Sequence, residues 1–301
     1  MTVLYLIDVS GFVFRAFYAL PALTSPEGVP VGAVFGFCNM LMKLRREITR
    51  AVKGTGNDGG PASVLWVAVV DVARKTFRND IFPAYKSNRK QVPEELVAQF
   101  PVVHDACAAF GCPVKGMSNF EADDVIASYA KKAETRGFDS IIVSSDKDFM
   151  QLCRPGVSIF DPIKSVFISS EHIHEKFGVP ADKVTDVQAL AGDPTDGVFG
   201  APGVGIKTAA GLIKQFGSLD VLLHNVFAIP SKRQRDIIAR NVDNIRIAKQ
   251  LVTLRDDVDV EFDEEELTFS AKLNSVEINR ISAFYNKWGF SRFHVGANKS
   301  G

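Results

Sequence analysis

The sequence predicts an α/β fold: a central, mostly parallel sheet flanked by helices, followed by a helical C-terminal region. Three observations predict it. Strand-like apolar runs recur at VLYLI (3–7), VLWVAVV (64–70) and SIIVSS (140–145). Helical patterns lie between them, at about 32–52, 94–110 and 121–136, and strand alternating with helix implies parallel pairing. After about residue 170 the pattern changes to short helices broken by Gly and Pro.

Taken in order, the N-terminal MTVLYLID reads as a strand and lacks the basic flank and small-residue cleavage site of a signal peptide. The stretch KGTGNDGGPA (53–62) reads as a flexible surface loop between a helix and a strand. The helix at 121–136 opens with three acids, Glu121, Asp123 and Asp124. Acids suit a helix N-terminus, and Ser118-x-x-Glu121 fits a capping box, so this stretch alone has a purely structural explanation. RDDVDVEFDEEEL (255–267) reads as a solvated acidic surface segment, and the tail GANKSG (296–301) as disordered or a linker. His172 and His174, two apart on a helix, face different ways and read as surface residues.

The 301 residues, with 46% hydrophobic and 23% charged side chains, have the composition of an ordinary globular protein. No apolar run approaches the ~20 residues of a membrane span. Cys38, Cys107, Cys112 and Cys153 form no C-x-x-C pair and read as reduced residues of a cytoplasmic protein.

Each of the three strands ends in an aspartate: Asp8, Asp71, and Asp146 with Asp148 two residues on. Ligands of parallel sheets bind beyond the carboxyl ends of the strands. The acids at 121–124 open at the same edge. Asp193 and Asp196, in AGDPTDG, add a further pair, although Asp beside Pro and Gly is also ordinary turn chemistry. Nine carboxylates from five segments would repel one another unless cations neutralised them. An all-oxygen donor set points to Mg²⁺, with Mn²⁺ able to substitute, rather than zinc. Two such ions suit phosphodiester hydrolysis. A haloacid-type phosphatase also begins with a strand and an Asp, but needs a second Asp where this chain has Ser10. The net charge of zero argues against a nucleic-acid partner. Setting the nine acids aside, however, leaves an excess of nine positive charges over the rest of the molecule.

Two stretches could grip phosphates. Gly203-Val204-Gly205 precedes the helix IKTAAGLIKQFG, where backbone N–H groups and Lys207 could meet a phosphate; a glycine-rich helix–helix turn fits equally. The P-loop pattern is absent. FRNDIFPAYKSNRKQVPEEL (77–96) mixes Arg and Lys with Phe77, Phe82 and Tyr85. It is either a solvated loop or a surface for single-stranded nucleic acid.

Together, VLYLIDVSGFVFRAFYAL, TFRNDIFPAYKSNRK, FEADDVIASYA, SSDKDFMQL, GDPTDG, PGVGIKTA and WGFSRF, in this order, resemble the 5′-nuclease (5′–3′ exonuclease, flap endonuclease) domain at the N-terminus of bacterial DNA polymerase I. The resemblance spans nearly the whole chain. It implies a metal-dependent 5′ nuclease of DNA flaps, nicks and junctions in replication and repair. Asp8, Asp71, Glu121 and Asp123 would surround one metal, and Asp123, Asp146, Asp148 and Asp193 the other, with Asp124 and Asp196 outside them. Arg15, Lys86 and Arg89 would steer and polarise the scissile phosphate. Tyr85 to Arg89 would belong to a helical arch (about 72–112). Gly203, Gly205, Lys207 and Thr208 would lie in a helix-hairpin-helix (about 186–223) that holds duplex DNA, often with a monovalent cation such as K⁺. The implied division is a core at 1–170, a helical DNA-binding region at 171–295 and the tail, with a polymerase domain in the same or another chain as a partner. DGVFG at 196–200 departs from the family's usual D-N-I-P-G. The alternative from another class is a DNA-junction binding module without catalysis; a ribonuclease with a related acidic site is a weaker one.

Overall fold

The computed structural model describes residues 1–53 and 63–290. The loop predicted at 53–62, apart from its first residue, and the tail at 296–301 lie outside them. Six strands form one sheet: β1 (Thr2–Asp8), β2 (Ser63–Val69), β3 (Val114–Lys115), β4 (Asp139–Val143), β5 (Val157–Asp161) and β6 (Val166–Phe167), in the order β3-β2-β1-β4-β5-β6. The first five run parallel, and β6 turns back antiparallel on β5. β1 is apolar at every core position because both faces are covered. Leu4 and Leu6 point into one core cluster; Val3, Tyr5 and Ile7 point into the other.

The first helices follow the strands. α1 (Val9–Ala19) packs on α2 (Gly32–Lys53), whose buried Phe37, Cys38, Leu41, Leu44 and Ile48 keep helical spacing. α3 (Phe77–Ile81) is one short turn of helix. The helix expected at 94–110 is divided into α4 (Glu94–Val97) and α5 (Phe100–Phe110). Pro101 explains the break, since it has no N–H for the carbonyl one turn earlier. Residues 82–89 run as successive turns, so within the region expected as the arch (72–112) non-helical chain joins α3 to α4. α6 (Ala122–Thr135) crosses the opposite sheet face with Ala127, Ala130 and Ala133 buried.

The helical region follows: α7 (Ser170–Phe177), α8 (Val184–Ala191), α9 (Ile206–Phe216), α10 (Leu219–His224), α11 (Lys232–Arg240) and α12 (Val242–Val252). The chain then returns to the sheet. In the acidic stretch, Val258 and Val260 are buried while the acids beside them face water, and their backbone binds α6 through Ser128, Tyr129 and Lys132. It is therefore half core, not wholly solvated. After α13 (Glu264–Leu267), Phe269 donates its N–H to Val64 of β2 (2.8 Å) and sets its ring edge-on to Trp66 (4.9 Å). α14 (Ser275–Lys287) packs on α5. The end of the predicted helical region thus belongs to the core of the sheet.

The strand order reverses between β1 and β4. A crevice beyond the carboxyl ends is expected at such a point, and Asp8 and Asp146 stand there.

Candidate metal and nucleic-acid site

Asp8, Asp71, Asp146 and Asp148 are positioned by the turns that follow their strands, and Asp193 by the turn after α8. Asp8 ends β1 and caps α1, accepting from Gly11 N–H (3.2 Å) and from the Ser144 hydroxyl (2.8 Å). A Cβ on Gly11 would lie 2.7 Å from Asp8 Oδ2, which is why that position is glycine. Asp71, beyond β2, accepts from Ser10 (2.7 Å) and from Ala122 N–H (2.9 Å), tying the strand end to the start of α6. Asp146 accepts from Asp148 N–H (2.9 Å) in the turn after β4, and Asp148 accepts from Gln188 of α8 (2.6 Å). Asp193 accepts from Thr195 N–H (2.9 Å) and pairs with Lys147 (2.5 Å).

Burial first, then the charges of Asp146 and Asp8, hold the Asp123 carboxyl well above the ordinary range. Burial likewise pushes Asp8 and Asp148 up to about 6, opposed at Asp8 by Ser144 and Gly11 and reinforced at Asp148 by Asp146. Burial works against the Asp193 carboxylate too, but the Lys147 ammonium outweighs it and holds the group below its usual value.

The basic loop lies down on this edge. Lys86 donates its N–H to Asp196 (2.9 Å) and its ammonium to Glu121 (2.6 Å). Arg89 pairs with Asp196, and Asn88 donates to the Pro194 carbonyl (2.8 Å). A cleft between the two loops is lined by Arg78, Tyr85, Glu121, Asp123, Asp148 and Asp193, among others.

Two expectations need correction. Asp124, grouped with the nine metal-site acids but expected to stand outside both metals, has no exposed surface and makes a two-pronged pair with buried Arg78 (2.6 and 2.8 Å). It also accepts from Glu121 N–H (3.1 Å) and Arg255 N–H (2.9 Å), so both its oxygens are committed to structure. The same bond caps α6 at Glu121, displacing the box expected from Ser118. Tyr85, expected to face DNA, is 6% exposed, and its hydroxyl donates to Glu121 (3.2 Å); the ring braces the acids from below. Among the described residues no three acidic, His or Cys side chains stand together as a preformed metal cage.

Asp196 stays at the edge through Arg89 and Lys86. Arg15 is exposed on α1, seven residues or about two turns beyond Asp8. In the hairpin, α8 packs on α9, Gly203 is left-handed (φ 75°) and Gly205 caps α9, with Lys207 exposed in the first turn and Thr208 beside it. A Cβ on Gly205 would meet nothing within 4 Å, so internal packing does not demand its small size.

Sequence reasoning missed Arg78, Ser144, Lys147 and Gln188. Lys147 lies between two of the acids and Arg78 in the basic stretch at 77–96, so their positions were usable signals; Ser144, just past β4, and Gln188, within α8, are polar residues that no period reveals.

Comparison with known proteins bears on this geometry. Residues 3–178 match the family model for the 5′-3′ exonuclease N-terminal resolvase-like domain, and residues 179–275 that for the 5′-3′ exonuclease C-terminal SAM fold. The chain is 46% identical to a DNA polymerase I of Rhizobium leguminosarum over 88% of its own length, but spans only 26% of that relative. It is 35% identical to a 5′-3′ exonuclease of Aquifex aeolicus, covering 93% of this chain and 90% of the other. The fold is similar to T5 5′-exonuclease solved with divalent metal ions (zinc) bound, with TM-score 0.66, 18% identity, and 83% and 89% of the two chains covered. It is also similar to flap endonuclease-1 of Methanococcus jannaschii, with TM-score 0.56, 15% identity, and 94% and 85% covered. No helix among the described residues is long and apolar enough to cross a membrane.

Proposed function

The chain belongs to the 5′-3′ exonuclease family, a family of phosphodiester hydrolases, and from that premise we propose that it is a divalent-metal-dependent 5′ nuclease cutting DNA where a 5′ single strand meets duplex. The observation that carries this reading is the convergence of carboxylates from five segments on one sheet edge, beneath a basic loop that already pairs with two of them.

The donor set fits a hard cation. It is all oxygen, and burial and mutual repulsion leave Asp8, Asp123 and Asp148 unfavourably charged without one. We assign Asp8, Asp71, Glu121 and Asp123 to one Mg²⁺ or Mn²⁺, and Asp123, Asp146, Asp148 and Asp193 to a second. Bound there, such ions would supply a deprotonated water and offset charge on the phosphate. Ser144 and Gln188 orient Asp8 and Asp148 for that task. Lys86 and Arg89 turn from Glu121 and Asp196 to the scissile phosphate, and Arg15 guides the strand. The exposed N-terminus of α9, with Gly203, Gly205, Lys207 and Thr208, grips duplex backbone, and a K⁺ ion at the hairpin would extend that grip. We place this work in the cytoplasm, in replication and repair beside a polymerase domain in the same or another chain. The four free cysteines support a reducing compartment.

The test is cleavage of a 5′-labelled flap. Cutting in Mg²⁺, abolished by EDTA, is expected; tight flap binding without cutting would favour the junction-binding alternative.

A further inference from the structure

Phe199 is 66% exposed, on the loop between Asp196 and Gly203. Leaving a phenylalanine in water forgoes the favourable burial of its ring. Nor is the loop slack. Asp193 and Val198 exchange backbone hydrogen bonds (2.9 and 2.8 Å), and Ala201 donates to Leu190 (2.9 Å). The backbones at Gly192 and Gly200 are in such close contact that a Cβ on Gly192 would lie 2.6 Å from Gly200 N. Val198, 4% exposed, is part of the acidic cleft lining, so its neighbour Phe199 is turned outward at the rim. There its ring meets Phe82 at 6.1 Å and 88°. Phe82 opens the run of turns that carries Lys86, and Lys86 binds Asp196 three residues before Phe199. The loop that carries the ring is thus held fast, and the ring is exposed and set against Phe82, at the start of the run of turns that carries Lys86.

We propose that Phe199 is a positioning residue that stacks on the nucleobase next to the scissile phosphate, steadying the strand while the acids and Lys86 act. A ring face recognises any base, so the contact would be indifferent to sequence. The proposal rests on the nuclease reading above.

The test uses the full chain. Flap affinity is measured by anisotropy in EDTA, on DNA that is intact or abasic at the nucleotides flanking the cut, and single-turnover cleavage is measured in Mg²⁺. Phe199→Ala should weaken binding of intact flap about 5- to 150-fold, the equivalent of one stacked base. Phe199→Trp should restore it. On DNA abasic at the stacked position, wild type and Phe199→Ala should bind alike. Phe167→Ala, at an aromatic 57% exposed on β6, is the control and should bind as wild type. Equal affinity of Phe199→Ala and wild type for intact flap overturns the proposal, as does an equal loss on intact and abasic DNA. Wild type that binds flap without cutting it overturns the nuclease reading and leaves the stacking result readable. Wild type that binds no DNA overturns both.

Discussion

Lys86 sits at φ 57°, in the left-handed region that side chains other than Gly and Asn seldom adopt. Such a backbone costs roughly 1–3 kcal/mol and persists only where its surroundings hold it. Here the bonds to Asp196 and Glu121 do so, and they aim the ammonium at the acids. A cation aimed where charge develops acts mainly in the transition state, with about 2.7–4 kcal/mol lost on its removal. Lys86→Ala should therefore slow single-turnover cleavage roughly a hundredfold or more, with flap affinity changed only a few-fold and Arg89→Ala milder. Weak binding with an intact saturated rate would make Lys86 a tether. Asp148 makes a different prediction. Its folded carboxyl, near 6, lies above the ordinary value of about 4. The group thus favours the fold at pH below about 4 and loses that contribution as pH rises through about 6. Asparagine removes the loss while retaining an oxygen for Gln188. In EDTA at pH 8, Asp148→Asn should be more stable to unfolding than wild type by on the order of 1–3 kcal/mol, and the gap should shrink toward pH 4. Cleavage should vanish with flap binding spared, and Asp123→Asn should do the same. Normal turnover in either variant would remove that acid from the metal set. The acids were legible because each ends a readable strand or opens a helix; the serine and glutamine that aim them were not.

Among the elements, α6 shows that adjacent carboxylates can do opposite work. Asp123 faces the site, while Asp124 anchors Arg78, which also donates to the Leu251 carbonyl (2.8 Å) and so joins α3, α6 and the end of α12. Removing one partner of a buried pair leaves the other uncompensated, at about 3–5 kcal/mol. Asp124→Asn should thus lower the denaturant midpoint sharply, and what stays folded should keep its rate per molecule. A stable but inactive variant would return Asp124 to the chemistry. Sequence pattern located β1, β2, α2 and α6 because each is long with a clear period. It missed β5, and also β3 and β6, two residues each, which pairing alone defines. It could not foresee that residues 82–93 fold down onto 193–198, since turn-forming residues do not state what the turn rests against.

Across the whole molecule, the balanced charge conceals an uneven one: nine of the 35 acids meet at the sheet edge, and the remaining residues carry an excess of nine positive charges. A cation that binds only this folded edge stabilises it by about 2.7 kcal/mol at a hundred times its Kd. The melting temperature should be higher in millimolar Mg²⁺ than in EDTA, and Asp146→Asn should narrow the difference; identical melts would count against a metal cluster. The return of the chain to β2 has a kinetic consequence. Arg45, buried between Trp66 and Phe269, donates to the Ser270 carbonyl 225 positions away (2.5 Å). Contacts this remote in sequence are late to form and slow to reach. During synthesis the N-terminal sheet emerges long before its last covering, and waits with an apolar face and a lone guanidinium exposed. The nuclease core and helical region should therefore gain stability together, in one unfolding transition by fluorescence and circular dichroism alike. A chain ended after residue 263 should bind a hydrophobic dye and aggregate; if it folds as a monomer with an unchanged midpoint, the late segment and its helices are ornaments on a sheet already complete.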